Sequence, residues 1–278
     1  MKSCRRLSGA CLAFVLLILC STAQAAPAAR LWERWSAHNP ESSAGIDHGA
    51  WNDWLASHVI SNPDGINRVH YAGVTGEDRA QLRRYIEGLA ALPISDYNRS
   101  QQLAYWINLY NALTVDVVLE HYPLGSIRDI SSGFFSSGPW GLELVTIETE
   151  ALTLDDIEHR ILRPIWQDPR IHYAVNCASL GCPNLQPLAF TASNSETLLQ
   201  TSAREFVNHP RGASISNGKL RVSSIYHWFE KDFGGDDAGV IAHLKRYAAP
   251  ALAAGLQTIE RVSDHAYDWR LNARDPSD

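Results

Sequence analysis

A chain of 278 residues, 45% hydrophobic and 19% charged with 18 Gly and 13 Pro, is neither collagen-like, coiled-coil nor disordered, and it can bury a full core. Lys and Arg number 24 against 30 Asp and Glu, a net charge of -6. The basic footprint that nucleic acid or an anionic lipid surface requires is missing, so neither is expected as a main partner.

Lys2, Arg5 and Arg6 precede an apolar run at residues 10–20, and small residues stand at Ala23 and Ala25. This pattern predicts a secretory signal peptide over residues 1–25, cleaved after Ala25, and hence a periplasmic or secreted protein. The run is shorter than the ~20 apolar residues of a spanning helix, so no stable membrane span is expected. Leu19 before Cys20 does not suit lipoprotein processing. With Cys4, Cys11 and Cys20 removed, Cys177 and Cys182 remain, an even count for an oxidising compartment. A bridge between them closes a loop of about six residues and contributes roughly 2 kcal/mol, too little to hold up a domain of this size.

Residues 26–60 carry Trp32, Trp35, Trp51 and Trp54, the last two at helical spacing. Burial against the main body is expected for them, ahead of sugar or partner binding. Asn62-Pro63-Asp64-Gly65 marks a turn. Leu82, Tyr85, Ile86 and Leu89 share one face of a helix predicted over residues 77–92. The next helix, over residues 100–121, is the most apolar in the chain and stops at Tyr122-Pro123-Leu124-Gly125. Residues 131–141 read as an exposed Gly/Ser loop, residues 142–148 as a weak strand, and Thr153-Leu154-Asp155-Asp156 as a capped helix start limited by Pro164. Residues 171–176 are rich in strand formers, and Asn217-Gly218 marks a hairpin over residues 213–222. Short helices at 226–229 and 239–247 and a closing strand region at 258–271 complete the pattern. Helices and hairpin strands without regular βαβ alternation predict a single mixed α+β domain.

Chemistry concentrates where the segment from Arg170 to Pro183 turns into a loop of small residues, with Cys177 at the junction. A cysteine nucleophile must be a thiolate, normally supported by an imidazole. On a strand His172 would face away from Cys177. His159 is therefore the preferred base, with Asp155 four residues earlier to orient it. Asn108 and Asn111 lie one turn apart on the apolar helix and face inward. They either brace loop backbone or line the Cys177 cleft as donors to an oxyanion. The competing reading makes Cys177–Cys182 a structural disulfide. A zinc site from His159, His172, Cys177 and Cys182 matches no standard ligand spacing, and Cys-x4-Cys is not the Cys-x-x-Cys of thiol–disulfide exchange. Neither metal nor cofactor is assigned. His227 is a weak further candidate.

Residues 102–113, 154–159 and 171–179, with Cys182-Pro183 and the closing Tyr267-Asp268-Trp269-Arg270-Leu271-Asn272, together resemble the family catalogued as domain of unknown function 547. The resemblance covers residues 68–272, after an N-terminal helical extension at 26–67 and before a tail at 273–278. It implies an established domain, often exported in bacteria, with no settled activity. The family's recurrent polar positions match at Asn108, Asn111, Glu158, His159, His172, Asn176, Cys177 and Cys182. His227 stands where the family often has Lys. The expectation is a thiol-dependent hydrolase or acyl transferase using Cys177, with His159 or His172 as base and Asn108, Asn111 and Glu158 in the site, acting on a small-molecule or peptide ligand. The alternative is a non-enzymatic cell-envelope binding or scaffold domain.

Overall fold

In helix α3 (Arg99–His121) every residue from Ala104 to Val115 is buried, so the rest of the molecule is organised around it. A helix apolar on all sides must be covered on all sides. The computed structural model describes residues 27–130 and 138–274. The expected signal segment, most of the Gly/Ser loop and the last four residues of the tail lie outside them. Half of the described residues are helical and about a tenth are in strands, in small sheets, which makes the fold α+β.

Before α3 come α1 (Gly49–His58), a short hairpin of β1 (Val59–Ile60) and β2 (Arg68–Val69), and α2 (Gly76–Ala90). Trp51 and Trp54 of α1 are buried and stacked at 5.3 Å, as the burial reading requires. The turn at Asn62-Pro63-Asp64-Gly65 closes with Gly65 N–H donating to the Asn62 carbonyl at 2.9 Å. Helix α2 begins at a capping box between Thr75 and Asp78 and buries Leu82, Tyr85, Ile86 and Leu89.

After α3, β3 (Val145–Ile147) and β4 (Glu150–Leu152) form a tight hairpin. A π-helix (Asp156–Leu162) then runs into the single turn α4 (Arg163–Trp166). Pro164 has no N–H for the preceding turn. The carbonyls of His159 and Arg160 instead accept the N–H groups of Arg30 and Trp32, at 2.9 and 3.0 Å. The segment at 27–36 is thereby laid along this helix, with the Arg160 guanidinium over the Trp32 ring at 4.1 Å.

The strand expected at 171–176 is not formed. Pro169–Tyr173 is a 3-10 helix, opened by the Asp168 carboxylate accepting from Arg170 N–H, with Pro169 in its first turn. The apolar content that suggests a strand is burial content, which a short helix satisfies equally well.

The remaining elements are α5 (Ser195–Asn208), β5 (Ala213–Ser216), β6 (Lys219–Ser223), α6 (Ser224–Trp228), α7 (Asp237–Tyr247), α8 (Pro250–Leu256) and β7 (Val262–Ala266). Strands β5 and β6 are the expected hairpin, turned by Asn217 and Gly218, both at positive φ. Strand β7 adds parallel to β6. Two apolar clusters result. One surrounds α3 and the π-helix, and the other lies among α5, α7 and the three-stranded sheet. No described helix is long and apolar enough to cross a membrane.

Candidate active site

The loop after Tyr173 is clamped by side-chain amides. Asn111 donates to the Ala174 carbonyl at 2.9 Å and accepts from Asn176 N–H at 2.8 Å. Asn176 donates to the Pro183 carbonyl and accepts from Ala178 N–H, at 2.7 and 2.9 Å. Asn272 donates to the Asn176 carboxamide oxygen at 3.3 Å, and Ala178 returns its carbonyl to Asn272 N–H at 3.0 Å. These bonds hold Ala178 at φ 56°, a left-handed conformation that a residue with a Cβ adopts at a cost. The strained residue follows Cys177 directly.

The C-terminal segment runs antiparallel to residues 178–181. Leu180 and Gly181 donate N–H bonds to the carbonyls of Arg270 and Asp268, both at 2.8 Å. Position 181 requires glycine, since a Cβ there would meet the Asp268 backbone nitrogen at 2.7 Å. This pairing delivers Tyr267 to the loop.

Three side chains meet the half-buried Cys177 sulfur: the Tyr267 hydroxyl at 2.9 Å, the Cys182 sulfur at 3.2 Å and the Ser179 hydroxyl at 3.3 Å. Ser179 donates to the Tyr267 oxygen at 2.9 Å, which leaves the Tyr267 proton for Cys177. In the neutral pair Cys177 donates to Cys182, whose own proton faces the Val175 carbonyl at 3.8 Å. Cys177 N–H also donates to the Cys182 sulfur at 3.1 Å. The hydrogen bond available from Cys182 lowers the Cys177 pKa. Burial opposes that shift, and the Ser179 and Tyr267 hydroxyls add to it. Burial and the neighbouring sulfur push Cys182 well above the usual thiol range. Burial and the charge of Cys177 do the same to Tyr267. Glu158 opposes ionisation of Cys177, while Arg211 faces Cys182 and Tyr267.

Both sulfurs are free thiols. At 3.2 Å they lie beyond the bonded distance of about 2.05 Å, so the disulfide of the competing reading is not formed here.

The histidines belong to a second constellation. His172, on a 3-10 helix rather than a strand, places Nε2 2.7 Å from Asp232 and Nδ1 3.5 Å from Glu158. Arg163 donates to Asp232 at 2.6 Å, to the Pro27 carbonyl at 2.8 Å and to His159 Nδ1 at 2.8 Å. His159 Nε2 faces Asp155 at 3.5 Å, as the spacing of four predicts. Phe229 stacks on His172 at 4.3 Å and lies under the Arg163 guanidinium at 4.6 Å. Burial works against a charged His172, but Asp232 and Glu158 together raise its pKa above 6.5. Against the same burial, His159, His172 and Arg163 hold the Glu158 carboxyl down at about 2. Asp232 is driven lower still by His172 and Arg163.

Neither His159 nor His172 hydrogen-bonds to Cys177 among the described residues. Their partners are instead Arg163, Asp155, Glu158 and Asp232. Asn108 is likewise occupied, donating to the Phe190 carbonyl at 2.7 Å and accepting from its N–H at 3.0 Å. Asn108 and Asn111 brace loop backbone, the first of the two roles open to them, and their amides are not free to face an oxyanion. The four side chains of the zinc option are divided between two places, and no group of three or more His, Cys, Asp or Glu among the described residues is arranged to hold a metal ion. His227 stacks on His265 at 4.3 Å, apart from the Cys177 hydrogen-bond set.

Tyr267, Ser179, Arg163 and Asp232 are the site members that sequence reasoning passed over. Arg163 was within reach of it, four residues after His159 on the same helix.

The fold and site define an α+β domain with an asymmetric pair of thiols in an amide-clamped loop. Residues 94–207 match the family model described as Protein of unknown function, DUF547, which supports the resemblance read from the sequence. The match includes Asn108, Asn111, Glu158, His159, His172, Cys177 and Cys182, and ends before Asp232 and Tyr267. No curated protein and no solved structure matches the chain.

Proposed function

We propose that this chain is an exported thiol enzyme, a hydrolase or acyl transferase whose nucleophile is Cys177. The observation that carries the reading is the meeting of three hydrogen-bonding side chains, Tyr267, Cys182 and Ser179, at one half-buried sulfur. Once Cys177 has lost its proton, Tyr267 and Cys182 both donate to it while Ser179 donates to Tyr267, and charge-assisted bonds of this kind favour the thiolate. Export rests on the signal pattern at residues 1–25.

The proton partner in this reading is Tyr267 rather than an imidazole. The thiolate attacks an acyl carbonyl, a sulfur–carbon bond forms, and the leaving group departs with the Tyr267 proton. Water or an acceptor hydroxyl then attacks the thioester, returns a proton to Tyr267 and releases Cys177. Ser179, bonded to both Tyr267 and the sulfur, keeps the phenol directed at the reacting atoms. His159, His172 and Glu158 stay in the separate network with Arg163 and Asp232.

Two measurements on reduced protein test this. Alkylation of Cys177 is expected to show a midpoint below the ~8.5 of an ordinary thiol, and Tyr267→Phe to move it upward. An activated acyl ester is expected to leave an acyl group on Cys177, absent in Cys177→Ser. An ordinary midpoint with no acyl adduct would end the enzyme reading. Loss of acylation in His159→Ala or His172→Ala, with alkylation unchanged, would return the proton role to an imidazole. A second reading, an envelope scaffold in which Cys177 and Cys182 are permanently bridged, requires the two sulfurs to close from 3.2 Å to bonding distance. Intact mass of natively exported protein with and without reductant decides between them.

A further inference from the structure

Cys182 has no place in the acyl-transfer sequence except as a hydrogen-bond donor, yet it is held buried against the nucleophile. It is 3% exposed, and its sulfur faces Cys177 at 3.2 Å. Its partner, Cys177, is the more exposed of the two residues. An external reagent therefore meets Cys177 before the buried Cys182 that lies against its sulfur. About 1 Å of approach separates the two from bonding distance. The loop is fixed at both ends, by Asn111 on Asn176 N–H and by Asn176 on the Pro183 carbonyl, so the pair is held together rather than meeting by diffusion. The Cys177 N–H directed at the Cys182 sulfur stabilises negative charge there as Cys182 gives up its proton.

We propose that Cys177 and Cys182 are the attacking and resolving thiols of a thiol–disulfide exchange with low-molecular-weight disulfides. The proposal rests on the nucleophilic role of Cys177 in the reading above but not on acyl transfer. In the first step the Cys177 thiolate attacks one sulfur of the external disulfide RS–SR. The Cys177–SR bond forms, the S–S bond breaks, and RS⁻ leaves to take up the proton Cys177 has lost. In the second step the Cys182 sulfur attacks Cys177 Sγ, expels the other RS⁻, and gives it its own proton. The external disulfide is reduced to two RSH, and the protein dithiol is oxidised to a Cys177–Cys182 bridge. With excess RSH the sequence runs backward and restores both thiols, so the bridge is a state of the site and not a fixture of the fold.

The test is to incubate the reduced exported chain, residues 26–278 with Cys177 and Cys182 as its two thiols, with oxidised glutathione, quench with acid, alkylate, and measure intact mass with peptide mapping. Wild type is expected to lose two hydrogens and to retain no glutathione. Cys182→Ser is expected to accumulate a glutathionyl group on Cys177, at a level about ten-fold or more above wild type. Cys177→Ser is expected to react at Cys182 at least about ten-fold more slowly, because the buried thiol is inaccessible. Cys182→Ala, checked by circular dichroism, replaces the serine variant should that one misfold. The proposal is overturned if wild type keeps a stable glutathionyl adduct on Cys177, or if Cys182 reacts equally fast without Cys177. Exchange without acylation by esters removes the acyl-transfer reading alone. Acylation without exchange removes this one alone.

Discussion

Asn111 joins the longest buried helix to the loop that carries Cys177, using both ends of one amide on two backbone groups, the Ala174 carbonyl and the Asn176 N–H. Its inward face is legible from the sequence, because it shares a helical row with Asn108, Val115 and Val118. Its partners are not, because they lie more than 60 residues away and nothing local encodes them. Truncation to Ala strands a buried carbonyl and a buried N–H, each costing ~1–3 kcal/mol. Asn111→Ala is expected to lose at least about 2 kcal/mol of unfolding free energy in denaturant titration. It should also make Cys177 alkylation less sensitive to Tyr267→Phe, because the loop no longer holds the sulfur against the phenol. Unchanged stability would mean that water replaces the amide and that the clamp is not structural. Tyr267 marks the same limit of sequence reading. A tyrosine 90 residues from its cysteine is invisible until the chain pairs Leu180 and Gly181 with residues 268–270.

Helices with strong periodicity or caps emerge at nearly their expected places, as α2 and α3 do, and so does the Asn217-Gly218 hairpin. The failures have a shared cause. Residues 171–173 are wholly buried in a short 3-10 helix, where alternation and helical period give the same apolar run. Helix α5 is absent from the expected elements although Leu198, Leu199, Ser202, Ala203 and Phe206 trace a helical face. The π-helix is legible as a helix but not as a π-helix, since the wide turn depends on Pro164 and on carbonyls taken up by Arg30 and Trp32. Such turns are frequent at functional sites, and this one carries Glu158 and His159. Its entry is held by a reciprocal cap, with Asp156 N–H on the Thr153 hydroxyl at 3.0 Å and Thr153 N–H on the Asp156 carboxylate at 3.1 Å. Thr153→Ala is expected to cost about 1 kcal/mol of stability while leaving the alkylation midpoint of Cys177 unmoved. A shifted midpoint would show that the helix start is coupled to the thiol site.

Across the whole molecule the two apolar clusters meet along a seam, and both constellations lie on it. Ile157, Ile161 and Leu162, around Glu158 and His159, belong to the first cluster, whereas Phe233 beside Asp232 belongs to the second and Phe229 packs on it. His172 stands between Ile171 of one and Tyr173 of the other. Tyr267 packs against the second cluster and reaches across to Cys177. The charged network therefore tethers the two halves, and its protonation sets how firmly. Glu158 and Asp232, lowered in the folded state, contribute stability in full above their ordinary values of 4.5 and 3.8, and lose it as pH falls through their folded values, about 2 for Glu158. His172, raised in the folded state, contributes in full below its ordinary 6.5 and loses that contribution as pH rises through its folded value. The network's stabilisation is thus expected to be greatest between about pH 4.5 and 6.5 and to decline on both sides. Asp232→Asn removes the shared partner of His172 and Arg163. With the Asp232 side chain 21% exposed, the loss should be on the order of 2–3 kcal/mol near pH 6, below the value for a fully buried pair. The variant should also flatten both flanks, because His172 is held charged less strongly and one depressed carboxylate is gone. Denaturant titrations from pH 3 to 9 on wild type and Asp232→Asn measure this directly. Parallel curves offset by a constant would show that Asp232 acts through packing alone, and that protonation does not govern the seam.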